Sequence, residues 1–304
     1  MHDWLSGALE TCSRQGEMLR IQNRHVEWET HQIAIPGRMG SKTSRPLCQN
    51  APVVARLSEG GSMRMRTSTG LFVMLLAGSG TGPGAAGCDP AGNVRFICDQ
   101  IVPEDLFPVP GGEWVLSSGM GPNGAIRLIR IRDKSTTVLF PAASAKIRPD
   151  TKTYPSCPGP IDLSNREQFR AHGLYLRPGK GSVQTLYLVH HGSRESIEIF
   201  EFDGQAKPPV LTWIGCAVAP DRIWLNSVVG LPDGGFVTTN FSPIGQAPDL
   251  RAKIMAGTNN GELWEWHTAT GWQQVPGSSI PGPNGLEISP DGRWLYVGAW
   301  GSES

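Results

Sequence analysis

The sequence lacks the motifs that mark several large enzyme classes. It contains no Gly-x-Ser-x-Gly, so a serine nucleophile of the α/β-hydrolase type has no support. It contains no Gly-rich loop followed by Lys, so no phosphate-binding loop is indicated. Its six cysteines include no Cys-x-x-Cys pair, which argues against a zinc site of that kind. The chemistry of this protein therefore has to come from other residues.

An excess of charge of one sign is also missing. Charged residues make up only 18% of the chain, with 27 basic and 27 acidic side chains, so there is no electrostatic basis for binding nucleic acid or an anionic membrane. Apolar runs are short, and the one at residues 71–77 is too short to span a bilayer. We therefore expect no nucleic-acid partner and no transmembrane span.

Glycine and proline, in contrast, are abundant. The chain has 38 Gly and 25 Pro, and they cluster between short apolar runs rather than recurring at every third position. This distribution predicts an all-β protein with many short strands joined by tight turns. Ten Trp residues supply large apolar surfaces for packing those strands. With 304 residues, the chain is long enough for one large domain or two small ones.

Residues 63–88 have the layout of an export signal. They read "MRMRTSTGLFVMLLAGSGTGPGAAGC", which is a basic start, an apolar centre and a run of small residues. The run ends in a cysteine, as lipoprotein processing sites do, so Cys88 is a candidate lipid anchor, although Ala85 stands where Leu or Val is usual. The alternative is a buried apolar strand beside a Gly-rich linker. Disulfides are to be expected only if the protein is exported.

The position of this signal suggests a division of the chain. Signals lie at the start of a protein, but residues 1–62 precede this one and carry no clear motif. We interpret 1–62 as an extension before a true start at Met63 or Met65, and 63–88 as the export signal. Residues 89–304 then form one domain, located in the periplasm or outside the cell.

Four segments after residue 98 share one pattern: a short strand, a turn with Pro and Gly, and a second strand rich in β-branched or aromatic residues. They read "EDLFPVPGGEWVLSSG", "HGLYLRPGKGSVQTLYLVHH", "NSVVGLPDGGFVTTNF" and "NGLEISPDGRWLYVGAW". Their turn prolines, Pro110, Pro178, Pro232 and Pro290, are 68, 54 and 58 residues apart. Such intervals are typical of propeller blades that carry insertions in their loops.

A polar residue stands six positions before each of these prolines: Glu104, His172, Asn226 and Asn284. If the segments are equivalent strands around one axis, these side chains converge at one end of a central channel. The alternative is that they cap turns or face water, as polar residues at strand starts often do.

This set of residue types favours a hard cation with an adjacent base. One carboxylate and two amide oxygens suit calcium better than zinc. A metal with open positions can polarise a carbonyl group that water then attacks. His172 and His191 could supply the base near neutral pH. His190 falls on the opposite face of the same predicted strand, and we interpret it as structural.

Residues 98–300 resemble the paraoxonase/arylesterase branch of the senescence-marker-protein-30/gluconolactonase superfamily. The resemblance is carried by "PEDLFPVPGGEWVLSSG", "AHGLYL", "LYLVHHGSRESIEIFEF", "WLNSVVGLPDGGFVTTN" and "GPNGLEISPDGRWLYV". It implies a six-bladed β-propeller with calcium in its channel, and hydrolysis of lactones or aryl esters.

The resemblance also implies roles for individual residues. Glu104, Asn226 and Asn284 match ligands of the catalytic calcium. Asp105 and the carbonyl of Leu174 match ligands of a second, structural calcium. His172 matches the proposed general base, and His191 matches its proton-relay partner.

Two departures from the family pattern limit this prediction. Ser227 stands where the family has Asp, which weakens the second calcium site. The family's Asp-Asn ligand pair from a later blade has no counterpart before Ser304, so we expect a propeller that is incomplete at its C-terminus and has reduced activity. A non-catalytic propeller that binds a ligand or partner stays open as the alternative function. Condensation of the strictosidine-synthase type ranks last, because its catalytic Glu has no clear counterpart.

Overall fold

The structure, a computed structural model, describes two short strands near the start of the chain and residues 96–301, with gaps at 163, 165–167, 180 and 244–248. The two short strands, β1 (Val26–Glu27) and β2 (Gln32–Ile33), pair antiparallel. The rest of the predicted extension 1–62, the predicted signal 63–88 and Cys88 lie outside the described residues. Nearly all of the regular secondary structure in the described residues is strand, so the predicted all-β class is confirmed.

Three sheets, each built on four consecutive strands, follow one another along the chain. Within each set of four, strands that are neighbours in sequence are neighbours in the sheet and run antiparallel. The first sheet contains β3 (Pro103–Pro108), β4 (Trp114–Gly119), β5 (Ile126–Arg130) and β6 (Thr136–Phe140). The second contains β8 (Phe169–Arg177), β9 (Val183–Gly192), β10 (Ser196–Asp203) and β11 (Val210–Val218), with the short β7 (Lys146–Ile147) added in parallel to β11. The third contains β12 (Ile223–Gly230), β13 (Phe236–Pro243), β14 (Glu262–His267) and β15 (Gly271–Gln274). The connections within these sets of four are short turns, except for the one between β13 and β14, which contains a helix.

A two-stranded sheet comes last, formed by β16 (Pro283–Ile288) and β17 (Leu295–Ala299). One helix, α1 (Leu250–Met255), lies between β13 and β14. None of the helical turns in the described part of the chain has the length and apolarity needed to cross a bilayer.

The four turns with Pro and Gly join the first two strands of each sheet, as the sequence pattern predicts. Gly111 and Gly112 in the first of them have φ angles of 101° and 71°, a region that side chains disfavour. The first strands of successive sheets are neighbours in space: β8 contacts β3 on one side and β12 on the other, and β12 contacts β16. The starts of four strands are thereby brought together.

The second sheet is buried on both faces. Along β9, Leu186 and Leu188 pack towards the first sheet, whereas Tyr187 and Val189 pack towards the third. This follows from the two-residue period of a strand. The alternation continues into the two histidines, so His190 belongs to the first face and His191 to the second. Full burial of apolar side chains of this size stabilises the fold by about 1.5–3 kcal/mol each.

A buried ion pair fixes the turn between β9 and β10. Glu198 is fully buried, and Arg194 donates to its two carboxylate oxygens from Nε and Nη2, both at 2.9 Å. Ser196 Oγ and Trp213 Nε1 donate to the same carboxylate at 2.6 and 2.8 Å. Burial raises the pKa of Glu198, and these donors oppose that rise. Because every partner of the carboxylate is in place, the turn has one well-defined geometry.

A disulfide joins Cys157 to Cys216. Cys216 lies in β11, and Cys157 lies in the long connection between the first two sheets, 59 residues earlier in the chain. Closing a loop of this length in the unfolded chain favours the folded state by about 4 kcal/mol in the chain-entropy treatment. The sequence could not predict this pairing, because the spacing of cysteines does not determine which of them meet.

Candidate functional site

A small cavity lies where the starts of β3, β8, β12 and β16 meet. Its volume is about 50 Å³, and the four polar residues that precede the turn prolines all line it: Glu104, His172, Asn226 and Asn284. Asp105 and Leu174, which the sequence also singled out, line the same cavity. A space of this size holds a metal ion or a few water molecules.

Each of the four strands is irregular at the residues that line the cavity. The pairing register of the first strand with the second shifts between 103 and 106, 171 and 174, 225 and 228, and 283 and 286. In every case two consecutive residues, beginning with the polar one, leave the regular ladder. Bulges of this kind re-aim side chains and are common beside active sites. The fixed distance of six residues to the turn proline therefore reflects a repeated bulge followed by a strand of repeated length.

Gly173 allows two of these strands to approach each other. A Cβ atom at this position would lie 2.4 Å from the carbonyl oxygen of Asn226 and 2.9 Å from Cα of Ser227. Both distances are far shorter than van der Waals contact, so any side chain here would push β12 away from β8. The glycine after His172 thus brings Asn226 beside it.

Three carboxyl groups share this confined space. Asp105 Oδ2 accepts the N–H of Leu174 at 2.8 Å, and its Oδ1 accepts the N–H of Leu106 at 2.9 Å. Burial raises the pKa of Asp105 to about 7 against these two hydrogen bonds, and the nearby charges of Glu104 and Glu287 raise it further. Burial also raises the pKa of Glu287. A bound cation would relieve the cost of ionising these groups together.

The two histidines predicted as base and relay form a hydrogen-bonded chain. His172 Nδ1 lies 2.9 Å from His191 Nε2, and His172 Nε2 lies 3.2 Å from Glu104 Oε1. Burial is the main cause that lowers the pKa of His172, and its hydrogen bond to Glu104 opposes it. A neutral imidazole at neutral pH is the form that can accept a proton.

The series of hydrogen bonds through the two histidines continues beyond His191 to Glu195, a residue that the sequence did not indicate. His191 Nδ1 lies 2.8 Å from Glu195 Oε2, and Glu195 Oε1 accepts the N–H of Leu225 at 2.7 Å. His191 also lines a second cavity, of about 350 Å³, with Gln168, Arg170 and Gly192. Glu287 was missed as well. Their only sequence signals are a Glu four residues after His191 and a Glu three residues after Asn284, and neither spacing is diagnostic.

The donor set fits a hard cation. The Asn284 amide nitrogen is buried and is one of the atoms without a hydrogen-bond partner among the described residues. Rotating the amide group by 180° exchanges its nitrogen and oxygen without changing its shape. The carbonyl oxygen therefore fits the same position, where it can bind a cation. No three His, Cys, Asp or Glu side chains are grouped for metal binding in the ranges that the structure describes. The set here differs in kind, because two of its members are Asn amides, which calcium accepts as oxygen ligands.

Ser227, which stands where the family that the sequence resembles has Asp, serves as a hydrogen-bond acceptor between strands. Its Oγ accepts the N–H of Leu286 at 3.1 Å, just as Asp105 accepts the N–H of Leu174. In both pairs the acceptor is the side chain of the second residue of a bulge. The donor is the backbone N–H of the residue directly after the bulge in the neighbouring strand. The interaction seen for Leu174 is therefore made by its N–H, whereas the sequence-based prediction concerned its carbonyl as a ligand.

His190 is fully buried on the other face of β9. Its ring packs against Phe169 with centroids 5.2 Å apart, and its Nδ1 donates to the carbonyl of Arg194 at 3.0 Å. Burial lowers the pKa of His190 to about 3. It has no contact with the cavity, in agreement with the structural role expected from the alternation along the strand.

The stability of the protein is expected to fall between pH 6.5 and pH 4.5 partly because of His190. In this range the unfolded chain, with an ordinary His pKa near 6.5, takes up a proton that the folded chain excludes, so acid favours unfolding. Two pH units correspond to about 2–3 kcal/mol for one such group. Urea unfolding of the wild type and of His190→Asn at both pH values checks this, and an unchanged pH slope in the variant would contradict it.

Comparisons with known proteins leave the family open. No protein-family model matches the chain, and no curated protein matches it. Among solved structures, the chain is similar to a putative oxidoreductase (glucose dehydrogenase) from Thermus thermophilus, with 15% identity and a TM-score of 0.36. The match covers 66% of this chain and 57% of that one, so the chain spans a little over half the length of that structure. A likeness at this level carries no argument about activity.

Proposed function

We propose that this protein is an exported, calcium-dependent hydrolase of lactones or aryl esters. The observation that carries the proposal is convergence: one carboxylate, two amides and a buried histidine from four successive sheets line a single small cavity. These residue types were expected to meet from the sequence pattern, and they are the types that calcium binding and water activation require.

The architecture that we propose is a six-bladed β-propeller of the paraoxonase/arylesterase kind. Support comes from the three sheets of four strands in chain order, whose first strands lie side by side. Radially repeated sheets have this arrangement, with the first strand of each blade nearest the axis. We assign β3–β6, β8–β11 and β12–β15 as three blades, and β16–β17 as the first half of a fourth.

In the proposed mechanism, Glu104, Asn226 and Asn284 would hold the catalytic calcium, and Asp105 and the carbonyl of Leu174 would contribute to a second site. Calcium bound there would act as a Lewis acid that polarises the substrate carbonyl. His172 positions a water molecule and takes its proton at Nε2 while the water oxygen bonds to the carbonyl carbon. His172 Nδ1 can then pass a proton to His191 Nε2, 2.9 Å away. The alcohol oxygen leaves when the ester C–O bond breaks, and a proton returns to it.

Export is part of the proposal and rests on two features. Residues 63–88 have the layout of an export signal, and the Cys157–Cys216 disulfide belongs to the kind of bond that persists in oxidising compartments. Lipid attachment at Cys88 stays a prediction from the sequence.

The direct test is a panel of γ- and δ-lactones and phenyl esters, assayed with the full chain in calcium and in excess chelator. We expect hydrolysis in calcium that is lost in chelator and restored when calcium is returned. Hydrolysis that is unaffected by chelation would rule out the metal mechanism. Stabilisation by calcium without turnover of any panel member would instead favour a non-catalytic, ligand-binding propeller.

A further inference from the structure

The histidine chain has a carboxylate at each end. Glu104 lies 3.2 Å from His172 Nε2, and Glu195 lies 2.8 Å from His191 Nδ1. The mechanism above uses Glu104 and both histidines, but gives Glu195 no part. Each neutral imidazole has one N–H donor and one acceptor nitrogen, so two of them in series can both donate towards Glu195 or both donate towards Glu104. The two carboxylates compete to set that direction.

Each direction has a different chemical outcome. If Glu195 accepts a proton from His191 Nδ1, then His191 Nε2 accepts from His172 Nδ1, and the free lone pair of His172 is on Nε2, at the cavity. If Glu104 accepts a proton from His172 Nε2, every proton in the chain is reversed. His172 then has its lone pair on Nδ1, where a water molecule in the cavity cannot reach it.

Geometry favours the first direction. The contact to Glu195 is shorter than that to Glu104, and the side chain of Glu195 is less exposed, at 17% against 34%. A hydrogen bond to a carboxylate strengthens as water is excluded. The second oxygen of Glu195 is held by the N–H of Leu225 at 2.7 Å, so the carboxylate cannot turn away.

The turn that carries Glu195 is also fixed. The neighbouring Arg194 binds the buried Glu198 through two nitrogens and donates to the carbonyl of Gly159 at 2.9 Å. The backbone carbonyl of Glu195 accepts the N–H of Ala219 at 2.9 Å. The carboxylate is therefore presented to His191 by a rigid support rather than by a free surface side chain.

We propose that Glu195 is a positioning residue that sets the tautomers of His191 and His172, so that the basic Nε2 of His172 faces the cavity. This inference rests on the proposed function for its role in hydrolysis. When His172 takes a proton at Nε2, its Nδ1 proton moves to His191 Nε2, and the imidazolium formed at His191 stands beside the Glu195 carboxylate. His191 also borders the second cavity, which gives that proton a way out.

Glu195→Gln makes the sharpest test. A Gln side chain has one acceptor oxygen, and the fixed N–H of Leu225 requires it, so the amide nitrogen faces His191 Nδ1 and donates to it. The direction of proton donation through His191 and His172 should then reverse. We expect kcat to fall by about 10²–10⁴-fold with KM changed by less than about threefold, because only the orientation of the base is altered. Glu195→Asp keeps an acceptor-only group and should retain the wild-type tautomers.

Tautomers are read from ¹⁵N–¹H correlation spectra of the calcium-loaded full chain, with Glu201→Gln, on the strand β10 that follows the turn, as the control. The expected result is protonated Nδ1 on both histidines in the wild type and in Glu201→Gln, and protonated Nε2 on both in Glu195→Gln. A wild-type His191 protonated at Nε2, or tautomers and kcat unchanged in Glu195→Gln, would overturn the proposal. Since the wild-type spectrum needs no substrate, it decides this inference even if the lactone and ester panel defeats the proposed hydrolysis.

Discussion

Replacing His172 with Gln is expected to lower the turnover of a lactone or aryl ester by about 10²–10⁴-fold. Gln has a similar reach but cannot accept a proton from water at neutral pH. The expected calcium ligands Glu104, Asn226 and Asn284 are unchanged, so calcium affinity should stay within a few fold of the wild-type value. Measuring kcat and KM at saturating calcium, together with calorimetric calcium binding, separates the two effects.

A matched control for this variant is His267→Gln. His267 is a partly exposed histidine on β14 that pairs with Glu265 and does not line the cavity. The His267→Gln variant should leave kcat unchanged, which would show that losing a histidine elsewhere in the protein does not by itself lower turnover. If His172→Gln turned over substrate within about threefold of the wild type, His172 would not be the base.

The sequence allowed a good prediction of the strands because their signals are local. A turn with Pro and Gly between two apolar runs specifies a hairpin wherever it lies in the chain. The four turns at Pro110, Pro178, Pro232 and Pro290 are all found between the first two strands of a sheet. The polar residue six positions earlier is equally local, because it marks a bulge at a constant distance from the turn.

The rest of the site depends on contacts between distant parts of the chain. Glu195 matters because its turn folds against β12, and Glu287 because the bulge at Asn284 re-aims the strand that follows it. Neither effect has a local signature. The same holds for the pairing of Cys157 with Cys216 and for the addition of β7 to the second sheet. Ser227 departs from the pattern of the family that the sequence resembles, yet its Oγ still accepts a hydrogen bond from the adjacent strand.

The effect of Asn284→Ala on stability is expected to change with calcium. Without calcium, the buried Asn284 amide nitrogen has no hydrogen-bond partner, so its removal relieves an unpaired polar atom that costs about 1–3 kcal/mol. The variant should therefore unfold at the same urea concentration as the wild type, or at a higher one. With calcium at about 1,000 times its dissociation constant, the wild type should gain about 4 kcal/mol. Each tenfold loss of affinity in the variant removes about 1.4 kcal/mol of that gain.

Asn240→Ala separates this effect from the general cost of losing a buried Asn. Asn240 is buried and both ends of its amide are paired: its Oδ1 accepts the N–H of Trp224 at 2.9 Å and its Nδ2 donates to Glu262 at 2.8 Å. Its removal should cost about 1–3 kcal/mol both with and without calcium, and leave the gain from calcium intact. Urea unfolding of the three proteins in calcium and in chelator gives all the values needed. Equal stabilisation of Asn284→Ala and the wild type by calcium would show that Asn284 is not a ligand, and the cation site would have to be sought among the carboxylates alone.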